Sequence, residues 1–207
     1  MRTNFRSPLL FAVLIAAALL SPSARAQAPS AHVGETPRVE LNYDYMHSNG
    51  PPGQCSCFNL NGAGGAFVYP LKPVKSLQHV PFALVGGFDV IHGSGIGNLG
   101  YNLTLFTYTA GARYTLVREK SRWRPYAEIR IGGAHAGGTL ASSPSPAGLG
   151  IGNAFAGSMG GGVDVRWRPS ISVKLLQVDY LATTFANGVN SHQNNLKISA
   201  GLVLHLH

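Results

Sequence analysis

The stretch that decides the fold is Leu196–His207, "LKISAGLVLHLH". Its even positions are all apolar: Leu196, Ile198, Ala200, Leu202, Leu204 and Leu206. Its odd positions, apart from Val203, are polar, small or tolerant of water: Lys197, Ser199, Gly201 and His205. A period of two sends successive side chains to opposite faces of an extended chain. This segment is therefore a β-strand with hydrocarbon on one face.

The same rhythm recurs through the chain. Val39, Leu41, Tyr43 and Tyr45 alternate with Glu40, Asn42 and Asp44, and Leu60–Tyr69 is a Gly-rich second segment. Phe82, Leu84, Gly86, Phe88 and Val90 alternate with Ala83, Val85, Gly87 and Asp89. Phe106–Leu116 follows, with Thr107, Thr109 and Arg113 on its polar side. Trp123, Ala127, Ile129 and Ile131 alternate with Tyr126, Glu128, Arg130 and Gly132. Phe155, Met159, Val163, Val165 and Trp167 alternate with Ser158, Gly160, Gly162, Asp164 and Arg166. Leu176, Val178, Tyr180 and Ala182 alternate with Gln177, Asp179 and Leu181. With the C-terminal segment these make eight strands. The links alternate too. "PLKPVKSLQHVP", "VREKSR" and "RPS" read as basic, mostly tight turns. His47–Phe58, His92–Tyr101, Gly137–Asn153 and Thr184–Asn194 read as longer loops rich in Gly, Asn, Ser and Pro. An even number of antiparallel strands with short turns at one end and long loops at the other describes an up-and-down transmembrane β-barrel.

Which face points outward follows from charge. Charged residues are 12% of the chain, against about 25% in ordinary soluble domains. Glu40, Asp44, Asp89, Glu128, Asp164 and Asp179 all fall on the polar side of the strands, with Arg113, Arg130, Arg166 and Lys197. A narrow interior gathers opposite charges because they can pair there. The expectation is thus a lumen charge network centred on Glu128–Arg130 and Asp164–Arg166. Eight strands leave an interior that side chains can fill, so a general diffusion pore is not expected. The outer face carries aromatic residues near strand ends, such as Tyr43, Tyr114, Trp123 and Trp167. The competing soluble ligand-binding barrel would turn the apolar face inward.

The first residues are read separately. Arg2 and Arg6 precede the apolar run Leu9–Leu20, and Ala24-Arg25-Ala26 follows. The run is shorter than the about 20 residues a membrane helix needs, so residues 1–26 read as a secretory signal. Residues 27–37 read as a flexible tail and 38–207 as the barrel. Losing Arg2, Arg6 and Arg25 lowers the net charge from +8 to +5. The remaining basic residues are scattered, with no basic–aromatic cluster that would suggest nucleic acid. Export implies an oxidising compartment, where Cys55 and Cys57 form either a strained local disulfide or two free thiols. Two cysteines fall short of a metal site, and no cofactor is expected. Catalysis would need a nucleophile joined to a base. His92 near Ser94, His135 near Ser142 and Ser143, and His192 near Ser191 are the candidates, and none has a third partner at a diagnostic spacing. No catalytic residue is assigned.

With "NGAGGAFVYPL", "GARYTL", "RPYAEIRIGGAH" and "LLQVDYLATTF" added to these eight amphipathic segments, the chain resembles the small outer-membrane β-barrel domain family, the eight-stranded OmpA/OmpX-like group. The resemblance covers about residues 38–207. It implies a monomer in the cell outer membrane, surrounded by lipid and lipopolysaccharide. It also implies insertion by the barrel assembly machinery, which reads the last strand: here Leu196, Ile198, Leu202, Leu204 and Leu206. Family members usually end on an aromatic residue, where this chain has His207, and no further domain is expected after the barrel. The expected role is structural, or surface contact through the loops with an unidentified partner. The alternative within the fold is a lipid-modifying enzyme.

Overall fold

The computed structural model describes residues 36–49, 57–71, 82–97, 99–116, 121–140, 152–185 and 192–206. The expected signal (1–26) and nearly all of the expected tail (27–37) lie outside the described residues. So do Cys55, Ser142, Ser143, Ser191 and His207. Eight strands follow in order: β1 (Arg38–Ser48), β2 (Phe58–Pro70), β3 (Phe82–Ile96), β4 (Tyr101–Thr115), β5 (Trp123–Gly137), β6 (Gly152–Arg168), β7 (Ile171–Thr183) and β8 (Gln193–His205). Each pairs antiparallel with its sequence neighbours. The barrel closes where β8 meets β1, in continuous register from Arg38↔His205 to Ser48↔Asn195. Closure explains why the last strand must be so regular. A spanning sheet has no water to satisfy a free edge, so the final strand must bond the first along its length. The strands run from 11 to 17 residues, and a tilted strand crosses a hydrocarbon core in about 9–11.

Several boundaries depart from the expected ones. The anticipated long loop His92–Tyr101 is a tight connection, because β3 continues to Ile96 and β4 starts at Tyr101. Gly97 and Gly100 take φ of 67° and 66°, and the Gly100 N–H donates to the Gly97 carbonyl at 3.3 Å. Glycine alone adopts this left-handed backbone readily, and these two stand at either side of the connection from β3 to β4. The polar residues of this segment had suggested a loop, but its ends belong to the ladder. β7 in turn begins at Ile171, well before the first alternating residue expected there. A register shift between Lys174 and Gln177 against β8 breaks its period. Leu175 and Leu176 both face outward, and Lys174 and Gln177 both face inward.

The exterior is apolar through the middle of the barrel. Leu41, Phe67, Phe88, Ile129, Met159 and Leu202 are all exposed there. The belt has two edges. Towards the turns, Phe82 packs on Tyr114 with ring centroids 5.6 Å apart, and the Arg168 guanidinium lies 5.2 Å over the Trp167 ring. Towards the loops, exposed cross-strand neighbours bond each other: His47 with Asn59 at 2.8 Å, His92 with Thr104 at 2.9 Å and His135 with Asn153 at 3.2 Å. Aromatic and polar edges around a hydrocarbon band mark the two interfaces of a membrane-spanning barrel.

Candidate functional site

The lumen is built in tiers, because each strand contributes inward residues at fixed heights. The charged tier centres on Arg113 of β4. Its Nη1 and Nη2 donate to Glu40 of β1, and its Nε and Nη2 lie 2.7 Å from Oε2 of Glu128 on β5. Arg113 and Glu128 are direct cross-strand partners. The guanidinium sits 4.1 Å from the centre of the Tyr126 ring. One planar cation thus joins two carboxylates and stacks on an aromatic face, a geometry lysine cannot reproduce.

Lys174 of β7 extends the tier, donating to Glu40 at 2.7 Å and to Gln177 Oε1 at 2.6 Å. Gln177 is fully used. Its Oε1 also accepts from the Tyr126 hydroxyl at 2.8 Å, and its Nε2 donates to Glu128 at 2.7 Å and to Asp179 at 2.8 Å. A buried amide can do no more than this. Arg130 has Nε 3.1 Å from Glu128 and donates Nη2 to Asp179 at 3.2 Å. Lys197 of β8 donates to Asp89 at 2.9 Å and lies 3.8 Å from Asp179; Thr107 donates to Asp89 at 2.8 Å. Ser199 donates to Asp44, the last acid of the tier. The gap around these side chains has no room for a water molecule.

Glycines make this crowding sterically feasible. A Cβ on Gly64 would lie 2.2 Å from Asp89 Oδ1 and 2.5 Å from Asp44 Oδ2. One on Gly160 would lie 2.2 Å from Asp179 Oδ1, and one on Gly87 2.7 Å from Arg130 Nη1. The glycines of β2, β3 and β6 are therefore the space into which charged side chains of other strands fold.

At an effective dielectric near 20, opposite charges about 4 Å apart attract by roughly 4 kcal/mol. Desolvation of both partners removes most of that gain. The tier therefore specifies which side chains face which, and it contributes little net stability.

Above it, towards the loops, the lumen is hydrocarbon. Met46, Phe58, Leu60, Ile91, Leu103, Leu105 and Leu181 form one buried cluster with Ala134, Ala136 and Ala156. Alternation predicts charge for the lumen; this tier is instead apolar. On the turn side a smaller cluster joins Val68, Ala83 and Val85.

Of the ten residues expected in the lumen network, Glu40, Asp89, Arg113, Glu128, Arg130, Asp179 and Lys197 are joined by ion pairs. Asp44 is buried and bonded to Ser199 instead. The anticipated Asp164–Arg166 pair does not form: Asp164 is buried with Oδ1 unpartnered, and Arg166 is half-buried near the end of β6. Register shifts flank the pair at Val163/Asp164 and at Arg166/Arg168, and a bulge re-aims the side chains beside it. Four participants were not singled out from sequence. Tyr126 and Gln177 had been placed on the inner face without a role. Arg38, whose Nε lies 3.8 Å from Glu40, precedes the first alternating residue. Lys174 is hidden by the β7 bulge: counting back from Gln177 by twos points it outward.

The other candidates stay apart. Cys57 is exposed, and Cys55 lies outside the described residues. His92 bonds Thr104 on the next strand and His135 bonds Asn153, so neither engages a serine among the described residues. Leu196, Leu202, Leu204 and Leu206 are exposed on the outer face of the last strand and Ile198 is half-exposed there.

No family model matches the sequence, and no curated protein matches it. Solved structures do match the fold. Neisserial surface protein A superposes with a TM-score of 0.59 at 14% identity, covering 82% of this chain and 97% of that one. Ail, the attachment invasion locus protein of Yersinia pestis, gives 0.47 at 12% identity, with 82% and 99% covered. The outer membrane enzyme PagL gives 0.47 at 12%, with 80% and 99% covered. Joined to the closed register of its eight strands, the match to Neisserial surface protein A gives the chain the fold of the small eight-stranded outer-membrane β-barrels.

Proposed function

We propose that this chain is an outer-membrane barrel with a structural or surface-contact role, closed to general diffusion. The observation that carries the reading is the filled lumen. A charged tier and a hydrocarbon tier follow one another along the axis, so a solute would have to displace both. The apolar belt supports a seat in lipid, and the match to a Neisserial surface protein supports an outer-membrane location.

On this reading residues 1–26 direct export. The barrel assembly machinery engages the last strand through Leu196, Ile198, Leu202, Leu204 and Leu206, and the product is a monomer ringed by lipid and lipopolysaccharide. The connections opposite the basic turns face the cell exterior and meet the partner. Reconstitution in planar bilayers tests the core of this. The expected result is no steady conductance above the lipid background, and large stable single-channel steps overturn it. Recovery of a heat-modifiable band from the outer-membrane fraction checks the location.

A further inference from the structure

The turn-side mouth of the lumen differs from the tiers beneath it, because among the described residues its arginines outnumber its acids. Three arginines stand on the inner face there: Arg38 opens β1, Arg124 is the second residue of β5, and Arg166 lies near the end of β6. Among the described residues one acid, Asp164, stands with them. Arg124 and Asp164 are direct cross-strand partners, yet no ion pair joins them. Arg124 Nε and Nη1 are sealed from solvent and have no hydrogen-bond partner, and Arg38 Nε has none either. Arg124 instead lies within electrostatic reach of two like charges, Arg166 and Arg38. Among the described residues, three cations at this mouth thus face one carboxylate. The tier below offsets only part of this imbalance: five acids there, Asp44 bonded only to Ser199, face Arg113, Arg130, Lys174 and Lys197, and Arg38 Nε reaches Glu40 at no less than 3.8 Å.

We propose that this mouth is a binding site for a phosphate-class oxyanion, held by Arg38, Arg124 and Arg166. Buried donors without acceptors are costly to leave unpaired, so a group bringing several acceptor oxygens is favoured. The planar guanidinium fork matches two phosphate oxygens at once. A phosphomonoester carries a charge of about −1.5 to −2 near neutral pH, opposite in sign to the three arginines. The same chemistry is offered by a free phosphate and by a phospholipid headgroup of the leaflet on the turn side. Arg168 and Trp167, on the outer face of the same rim, stand where such headgroups lie.

The experiment uses the chain's two tryptophans, Trp123 and Trp167, which adjoin Arg124 and Arg166 and report from the mouth. The full barrel in a phosphate-free maltoside detergent is titrated with sodium phosphate against sodium chloride at equal ionic strength. In a second arm it is placed in nanodiscs of phosphatidylcholine with and without phosphatidic acid. A saturable fluorescence change is expected in at least one arm. The double variant Arg124→Gln/Arg166→Gln should weaken it tenfold or more, and Arg168→Gln on the outer face should leave it within twofold. A response to free phosphate identifies a soluble ligand, and one confined to phosphatidic acid identifies a headgroup. No saturable response in either arm, or an undiminished response in a double variant that still shows heat-modifiable migration, overturns the proposal. Should the double variant fail to fold, the native barrel decides alone. Its unfolding midpoint must rise with phosphate or phosphatidic acid and not with the matched chloride or phosphatidylcholine, and an unchanged midpoint overturns the site.

Discussion

The two main tiers of the lumen do the same mechanical work by opposite means. The charged tier fills space with long side chains whose positions are set by directional bonds, and it relies on glycines on neighbouring strands for room. The loop-side tier fills space with Leu, Ile, Met, Phe and Ala, whose contacts have no direction. The first is specific and contributes little net energy. The second contributes stability in proportion to buried area and tolerates exchange of shape. A barrel of this width can therefore be sealed either way.

The difference predicts how each tier fails. Arg113→Ala should be the most damaging single change, costing about 4 kcal/mol, because it strands the carboxylates of Glu40 and Glu128 without their shared cation. Denaturant unfolding in detergent, followed by tryptophan fluorescence, measures it. Replacing Glu40, Arg113 and Glu128 together with apolar residues of similar volume should cost less than Arg113→Ala alone. A triple variant weaker than the single would erase the distinction between the tiers. Leu60→Ala in the hydrocarbon tier should cost about 3 kcal/mol and leave planar-bilayer conductance at background, since the charged tier still closes the lumen. Steady channel openings in that variant would show that the tiers do not seal independently. Gly160→Ala should cost about 2 kcal/mol by overpacking, as its methyl would meet both the Val178 carbonyl and Asp179. Gly86→Ala, with open space around it, is the matched control. The smallest effect belongs to the outer rim. His47→Ala should change stability by about 0.5 kcal/mol or less, in line with an exposed cross-strand pair.

The legible and illegible parts of this molecule divide along physical lines. Alternation placed the mid-strand residues on their faces, from Val39 to Leu206, because the side-chain period of a strand is strictly two. It failed where the period itself fails. Lys174 holds Glu40 and Gln177 from a position that counting points outward, since two successive leucines at the bulge both face out. Asp164 and Arg166 have the same spacing as Glu128 and Arg130, yet only the latter pair meets. Sequence spacing does not record the bulges beside the former. The loop-side hydrocarbon tier was also missed. Met46, Ile91, Leu103 and Leu105 are apolar residues on the face assigned to charge, and each lies beyond the strand ends that periodicity suggested, while Leu181 lies within its segment among polar neighbours on that face.

The amino-acid sequence by itself determined that the chain forms eight amphipathic strands, that grease faces out and charge faces in, and that the last strand must seal the first. These follow from local periodicity and from the absence of water in hydrocarbon, and both act residue by residue. Only the tertiary structure decided which acid meets which base, that glycines on one strand make room for side chains of another, and that the mouth keeps arginines without partners. Those outcomes depend on strand stagger and bulges. They bring together residues as distant in the chain as Glu40 and Lys174, whose distance in space no local pattern encodes.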